Sequence, residues 1–338
     1  MSLNTTKQIA KVTYNGTEIP LKGGTGSGGF PNGTEWTRSN ITSGSFNSLY
    51  NANGLWVAAG DGLYYSTDGK AWTQSHITSD GFNSLYNANG IWVAGSYFSN
   101  GLYYSTDGKT WIQSNIGSGG FNSLYNANGL WVAAGDGLYY STDCKTWTRG
   151  NDEADVFNSV YNANGIWVAA SGSNGLHYSI DGKAWAQSHV TSGGFNSLYN
   201  ANGLWVTCSP DEGLYYSTDG KTWTWVKNSN RYMEYKSVYN ANGLWVAAGD
   251  GLYYSTDGKA WTQSNIASGD FVSVYNANGM WIACDFDDGG LYYSTDGKTW
   301  TQSNTASCGF KSAYNANGIW VAGSSGNGLY HSVSWEPS

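Results

Sequence analysis

Apolar and polar positions alternate in short runs along almost the whole chain, and no run keeps the 3.6-residue period long enough to predict a helix. The pattern is plainest from Phe46 to His76, FNSLYNANGLWVAAGDGLYYSTDGKAWTQSH. Four segments there have β character: A is F-N-S-L-Y, B is G-L-W-V-A, C is G-L-Y-Y-S and D is K-A-W-T-Q. All four are rich in aromatic and β-branched residues, which fit a pleated, half-buried surface. Asn53-Gly54 separates A from B and Asp68-Gly69 separates C from D. These are the strongest short hairpin signals, because glycine reaches positive φ without a Cβ clash.

The stretch recurs eight times, with the tyrosine of Y-N-A-N-G at Tyr50, Tyr86, Tyr125, Tyr161, Tyr199, Tyr239, Tyr275 and Tyr314, spaced 36 to 40 residues apart. A period of this size marks stacked units, none of which can bury its own apolar surface. Four antiparallel strands per unit predict an all-β, eight-bladed β-propeller of four-stranded blades. A β-solenoid is the alternative, but its rungs leave two hairpin turns per repeat unaccounted for. Asn32-Gly33-Thr34-Glu35-Trp36-Thr37 matches the D segment at Asp68–Thr73, while the eighth copy degenerates at Val333-Ser334-Trp335. The N-terminal strand around Trp36 is therefore expected to complete the last blade and remove the open edges of a linear array.

The propeller is assigned to residues 30–338, and residues 1–29 stand outside the repeat. Within them Ile9 to Leu21 reads as a hairpin turning at Asn15-Gly16, and Gly23 to Gly29 reads as a flexible linker. This piece is a candidate arm for attachment to a larger assembly, or a disordered end.

The C–D turn carries a family resemblance. Ser66-Thr67-Asp68-Gly69-Lys70-Ala71-Trp72 resembles the Asp-box (BNR) repeat of sialidase-type propellers, and it returns at Ser105, Ser141, Ser179, Ser217, Ser255 and Ser294. The resemblance implies a structural role for Asp68, Asp107, Asp143, Asp181, Asp219, Asp257 and Asp296, bonded to turn backbone above a packed tryptophan. The spacing departs by one residue from the usual S-x-D-x-G-x-x-W. A weaker resemblance, in the short arm and the Y-Y-S-T-D-G-K-T-W wording, is to phage and prophage tail-associated propellers of gut bacteria. It implies synthesis in a bacterial cytoplasm and association with a virion or phage tail. The polar first twenty residues, with no apolar signal region, agree with that expectation.

Segment lengths locate the variable surface. From the leucine of G-L-Y-Y to the next tryptophan is nine residues in every complete copy, and the A–B turn is Asn-Ala-Asn-Gly in all eight. The B–C connection varies most, with tyrosine-to-leucine spacings of 13, 16, 13, 15, 15, 13, 16 and 15. The D–A connection lengthens once, between Trp223 and Tyr239. Strands alternate in direction, so B–C and D–A loops share one face. A constant scaffold with one diversified rim is the pattern of loops that recognise a ligand, and also of loops that tolerate drift.

Charge narrows the partners. The chain carries a formal net charge of −8, with arginine only at positions 38, 149 and 231. An acidic chain without a basic cluster argues against nucleic acid and anionic membranes, and no apolar run is long enough for a membrane-spanning helix. The excess acid falls on the variable rim, at Asp61, Asp80, Asp136, Asp152, Glu153, Asp155, Asp211, Glu212, Asp250, Asp270, Asp285, Asp287 and Asp288. A solvated surface is the plain reading of these.

Most tryptophans and tyrosines repeat and read as packing between blades. The singular aromatics are Tyr97, Phe98, Trp225, Tyr232 and Phe286. With Asp211, Glu212, Arg231, Asp285, Asp287 and Asp288 they form the candidate ligand-binding set. Asp285-Phe286-Asp287-Asp288 is the densest acidic run, and its oxygens could hold calcium; no other cofactor is expected. A sialidase needs an arginine cluster that the three arginines do not supply, and no carboxylate pair is singled out for glycoside hydrolysis. His76 and His189 replace loop asparagines, while His177 and His331 replace strand tyrosines. The four cysteines, 144, 208, 284 and 308, read as buried thiols; only Cys284 and Cys308 lie on neighbouring copies. The expected function is non-enzymatic recognition of a glycan or another cell-surface ligand by the variable face. The alternatives are a carbohydrate-active hydrolase and a structural, protein-binding propeller.

Overall fold

A computed structural model describes residues 33–78, 81–98, 100–150, 155–227, 233–287, 289–305 and 307–332, with the backbone of 12–14 and 17–19. The chain divides into two units, Met1–Pro31 with Trp335–Ser338, and Asn32–Ser334. In the first, Val12–Tyr14 pairs antiparallel with Thr17–Ile19, with Tyr14 opposite Thr17. That is the register expected of a hairpin turning at Asn15-Gly16. The linker Gly23 to Gly29 and the degenerate end at Val333-Ser334-Trp335 lie outside the described residues.

In the second unit each repeat folds as the alternation predicts. In repeat one, strand A (Gly44–Ala52), B (Leu55–Gly60), C (Gly62–Ser66) and D (Thr73–Gln74) pair in that order, all antiparallel. The A–B turn has Asn53 at φ 52° and Gly54 at φ 82°. Two successive positive φ values give the turn whose twist matches the flanking strands, and asparagine tolerates the first of them.

The sheet count corrects the expectation of an eight-bladed propeller of separate four-stranded blades: the ring is built of seven sheets. Six are four-stranded, from repeats two to seven, and the seventh has eight strands. Repeats one and eight merge in it. Strand B of repeat eight, Ile319–Gly326, has eight residues where the same strand of repeat one has six. Its extension pairs Ser325 with Ser45 and Gly326 with Gly44. Repeat eight draws its own outer strand from the N-terminal side, where Trp36 lies opposite Ser332 and Arg38 opposite Tyr330. Counting repeats counts units, and the join depends on where two loops meet in space.

The core lies between repeats. Val57, Ala59 and Leu63 of repeat one pack on Phe82, Leu85 and Trp92 of repeat two, and the same arrangement recurs around the ring. It closes where Phe46, Leu49 and Trp56 meet Val321 and Leu329. The A strands are innermost, each against the A strand of the next repeat. There the Y-N-A-N-G tyrosines form a closed ring of side chains. From Tyr50 through Tyr86, Tyr125, Tyr161, Tyr199, Tyr239, Tyr275 and Tyr314 back to Tyr50, neighbouring ring centroids lie 4.5 to 5.6 Å apart.

Two polar devices lock neighbours together at the periphery. In the C–D turns the serine hydroxyl donates to the aspartate, as Ser66 Oγ to Asp68 Oδ1 at 2.9 Å, and that oxygen accepts the Lys70 and Ala71 amides. The following lysine reaches the preceding repeat, where Lys109 Nζ lies 5.5 Å from the Tyr65 ring centre and Lys183 Nζ 5.6 Å from that of Tyr140. The second device is an asparagine after strand D that both donates to and accepts from the next tryptophan's backbone. Asn40 does so to Trp72, Asn115 to Trp147, Asn265 to Trp300 and Asn304 to Trp36.

Candidate functional site: the variable loop face

The loops of the variable face are held by two residue types, which divides the acidic rim. In the short B–C loops, Asp61, Asp136 and Asp250 accept backbone N–H groups of Ser45, Gly120 and Glu234 at 2.9, 2.9 and 3.3 Å. These carboxylates therefore tie the D–A loop to the B–C loop of their own repeat. The longer loops are capped by a serine at the end of strand B, or, in repeat eight, two residues before it. Ser96, Ser171, Ser209 and Ser324 accept the N–H of Asn100, Asn174, Glu212 and Asn327. Asp285 occupies this position in repeat seven. It is only 3% exposed, and burial, together with Asp270 and Asp287, drives its pKa up against the backbone N–H bonds that favour the anion. The buried Asp155 likewise accepts the Ser171 hydroxyl at 2.9 Å.

At the centre of this face a bulge between Phe46 and Ser48 takes Asn47 out of the strand register, and the same shift recurs at Asn83, Asn122 and Asn158. Their amides form a belt. Asn47 Nδ2 donates to Asn83 Oδ1 at 3.1 Å, and Asn83 Nδ2 to Asn122 Oδ1 at 2.9 Å. Longer contacts of 3.4 Å carry it from Asn122 to Asn158 and on to Asn196. In the last three repeats the position holds Lys236, Val272 and Lys311. Lys236 pairs with Asp270 and, at 3.7 Å, with Glu234. Burial opposes its charge, yet the Asp270 bond and its acidic neighbours hold its pKa above the ordinary value. Lys311 differs: among the described residues no carboxylate comes within ion-pair distance of it. Its ammonium lies 5.6 Å from the Phe286 ring centre, and burial lowers its pKa against a weaker opposing pull from Asp61.

The exposed aromatics cluster beside this cation. Tyr97 and Phe98, at the tip of the repeat-two B–C loop, are 50% and 73% exposed and pack edge to face, with centroids 4.2 Å apart. The Tyr97 amide donates to Gly81 O at 2.7 Å, which fixes the loop's base. Because repeats one and three have short loops, the pair stands between two depressions. One, of about 300 Å³, is lined by Ser45, Asn47, Asp61 and Lys311, and the other, of about 420 Å³, by Asn122, Asp136 and Asn158. Phe286 is 40% exposed. A run of aromatic, cation, amides and aromatic pair thus crosses the face from repeat seven to repeat two.

The remaining sequence-chosen residues do not join this group. Asp211 and Glu212 donate their backbone N–H groups to Ser209 Oγ in the repeat-five loop. Trp225 is in strand D opposite Tyr215, half-buried, and not in a loop. Arg231, Tyr232 and Asp288 lie outside the described residues, as do Asp80, Asp152 and Glu153. Asp287 lines a cavity of about 580 Å³ with Asp250, Asp270 and Asp285. Among the described residues no three metal-ligating side chains converge. All four cysteines are free and buried, and burial lifts the thiols of Cys144, Cys208 and Cys284 to about 12. Reading the sequence missed Lys311, Ser45 and the asparagine belt. The signal was available in the F-N-S position, which changes only in the last three copies.

No protein-family model matches the chain, and no curated protein matches it in sequence. Solved structures do. The computationally designed Ika8 protein aligns with a TM-score of 0.70 and 10% identity over 87% of this chain and 98% of that chain. Sqt1 of Saccharomyces cerevisiae aligns with a TM-score of 0.64 and 10% identity, covering 89% and 98%. YCF48 bound to D1 peptide gives 0.57 and 14%, covering 90% and 96%. Sqt1 and YCF48 are β-propeller proteins, and this chain has the β-propeller fold. At such identities the likeness is one of fold.

Proposed function

We propose that the protein is a non-enzymatic recognition propeller that binds a glycan or another cell-surface ligand through its B–C/D–A face. One observation carries this reading: every change in loop length and the exposed aromatics Tyr97, Phe98 and Phe286 fall on the same face, around the asparagine belt. Aromatic faces beside amides and carboxylates suit a ligand that is apolar on one side and hydroxylated on its edge. The sialidase-type resemblance of the C–D turns and the phage-tail resemblance of the arm fit a module presented to a cell surface, with residues 1–29 as the attachment. A protein-binding propeller is the second reading, favoured by a fold neighbour whose structure holds a peptide.

A glycan array probed with the wild type and with a Tyr97→Ala, Phe98→Ala variant tests the proposal. Binding by the wild type that is lost in the variant is expected. Turnover of a chromogenic glycoside would move the protein to the hydrolases, and an empty array with a bound peptide partner would move it to the second reading.

A further inference from the structure

The geometry points to the depression between repeats eight, one and two, bounded by Ser45, Lys311 and the Tyr97–Phe98 pair, as a subsite for one neutral sugar residue. The inference rests on the glycan reading above and names the ligand chemistry of one place on the face. Its volume of about 300 Å³ stands at the small end of ligand pockets, roughly 300–1,000 Å³. That suits one ring rather than a chain.

The groups facing it are unspent. The Ser45 hydroxyl is buried with no hydrogen-bond partner. Lys311 offers three N–H donors and has no ion pair among the described residues. Asp61 Oδ2 accepts the Ser45 amide N–H, which leaves Oδ1 as an acceptor. Asn47 spends its NH₂ on Phe82 O and Asn83 Oδ1, which leaves its carbonyl oxygen. Two donors and two acceptors around one small cavity match a polyol, whose hydroxyls both give and take hydrogen bonds. Buried polar groups left without partners are costly, so a ligand that satisfies them gains from the exchange. Tyr97 and Phe98 supply an apolar wall for the C–H face of the ring.

Charge selects the class. Lys311 and Asp61 cancel within the cavity, and the rim around it is acidic. A carboxylated sugar would meet Asp61 and the rim, and an amine would meet Lys311. A neutral hexose meets neither penalty. The neighbouring depression shares the aromatic pair but has Asn122 and Asn158 and no cation among its lining residues. The cation is therefore not repeated in the neighbouring depression.

The test is an amide-resolved NMR titration of the full chain with methyl mannoside, methyl galactoside, methyl N-acetylglucosaminide and glucuronate, alongside the glycan array. The expected result is that a neutral glycoside shifts the amides of Ser45, Asn47 and Tyr97, and does so better than glucuronate. Lys311→Met, which keeps the apolar stem, and Phe98→Ala should each weaken it about tenfold, or about 1.4 kcal/mol. An unchanged spectrum of the remaining amides in these variants shows that they fold. If the array is positive but these amides do not move, or Lys311→Met binds unchanged, the subsite is wrong while glycan recognition stands. An empty array together with silent amides removes both.

Discussion

Tyr50 of the first repeat stacks on Tyr314 of the last, with ring centroids 5.2 Å apart and planes inclined by 29°. Residues at opposite ends of the chain thus close the inner ring. Truncating either to alanine should cost about 3 kcal/mol as a large-to-small change in a packed site. The two should also couple, with the double variant departing from additivity by about 0.5–1.5 kcal/mol, as expected of an aromatic pair. Urea unfolding of the four proteins of this cycle measures the coupling. Strict additivity would mean that closure rests on its strand pairings and on the packing of Phe46, Leu49 and Trp56 against Val321 and Leu329, and not on this stack.

His76 stands where Asn40, Asn115, Asn265 and Asn304 latch onto the next repeat's tryptophan backbone. The tryptophan it faces, Trp111, also lacks a partner for its Nε1, as does Trp223 after His189. The corresponding Nε1 of Trp72 and Trp147 donates to a turn carbonyl at 3.2 and 3.0 Å. His76→Asn should restore the latch and raise stability by about 1 kcal/mol. A neutral or destabilising result in urea unfolding would show that the latch is not limiting at this junction.

Stability should fall at both ends of the pH scale. The C–D turn aspartates have lowered pKa values. For Asp219 burial pushes upward, but hydrogen bonds from Thr222, Lys221 and Ser217 outweigh it and bring the value to about 2. A depressed carboxylate stabilises the fold above its unfolded pKa of about 4, and the contribution is lost as pH falls toward 2. Burial raises the pKa of Tyr50, Tyr86, Tyr161, Tyr239, Tyr275 and Tyr314. The unfolded chain then ionises first, so their contribution is complete below about pH 10 and lost above it. Thermal melts across pH 2–12, with tyrosinate absorbance followed at the alkaline end, check both limbs. Ionisation of these tyrosines before unfolding would contradict the second.

The hairpin turns were legible because Asn53-Gly54 and its copies can hardly do anything else. The repeat period likewise exposed the ring and the role of Trp36. The merger of repeats one and eight was not legible, because Ser325 and Gly326 pair with Ser45 and Gly44 only where two loops meet. Asp61, Asp136 and Asp250 read as solvated charge, although each is tied to a backbone amide of a neighbouring loop. Cys144 stands where the other copies of S-T-D-G have glycine, and it takes that glycine's φ of 63°. Asn47 belongs to the repeated F-N-S string, and only the bulge in strand A turns it toward the belt. Lys311 was hidden for the converse reason: it is one of three departures from the repeat, with Lys236 and Val272, and sequence does not show that, among the described residues, it lacks the acidic partner that Lys236 has.

The central claim is that the variable face, and not the face of the C–D turns, carries recognition. Its most direct test is the dissociation constant for the strongest glycan-array ligand, measured for the wild type, Phe98→Ala and Lys259→Ala. Lys259 sits over Tyr216 at the C–D turn end. The account predicts about tenfold weaker binding in Phe98→Ala and unchanged binding in Lys259→Ala. Equal binding by Phe98→Ala, or loss confined to Lys259→Ala, would place recognition on the wrong face and contradict it.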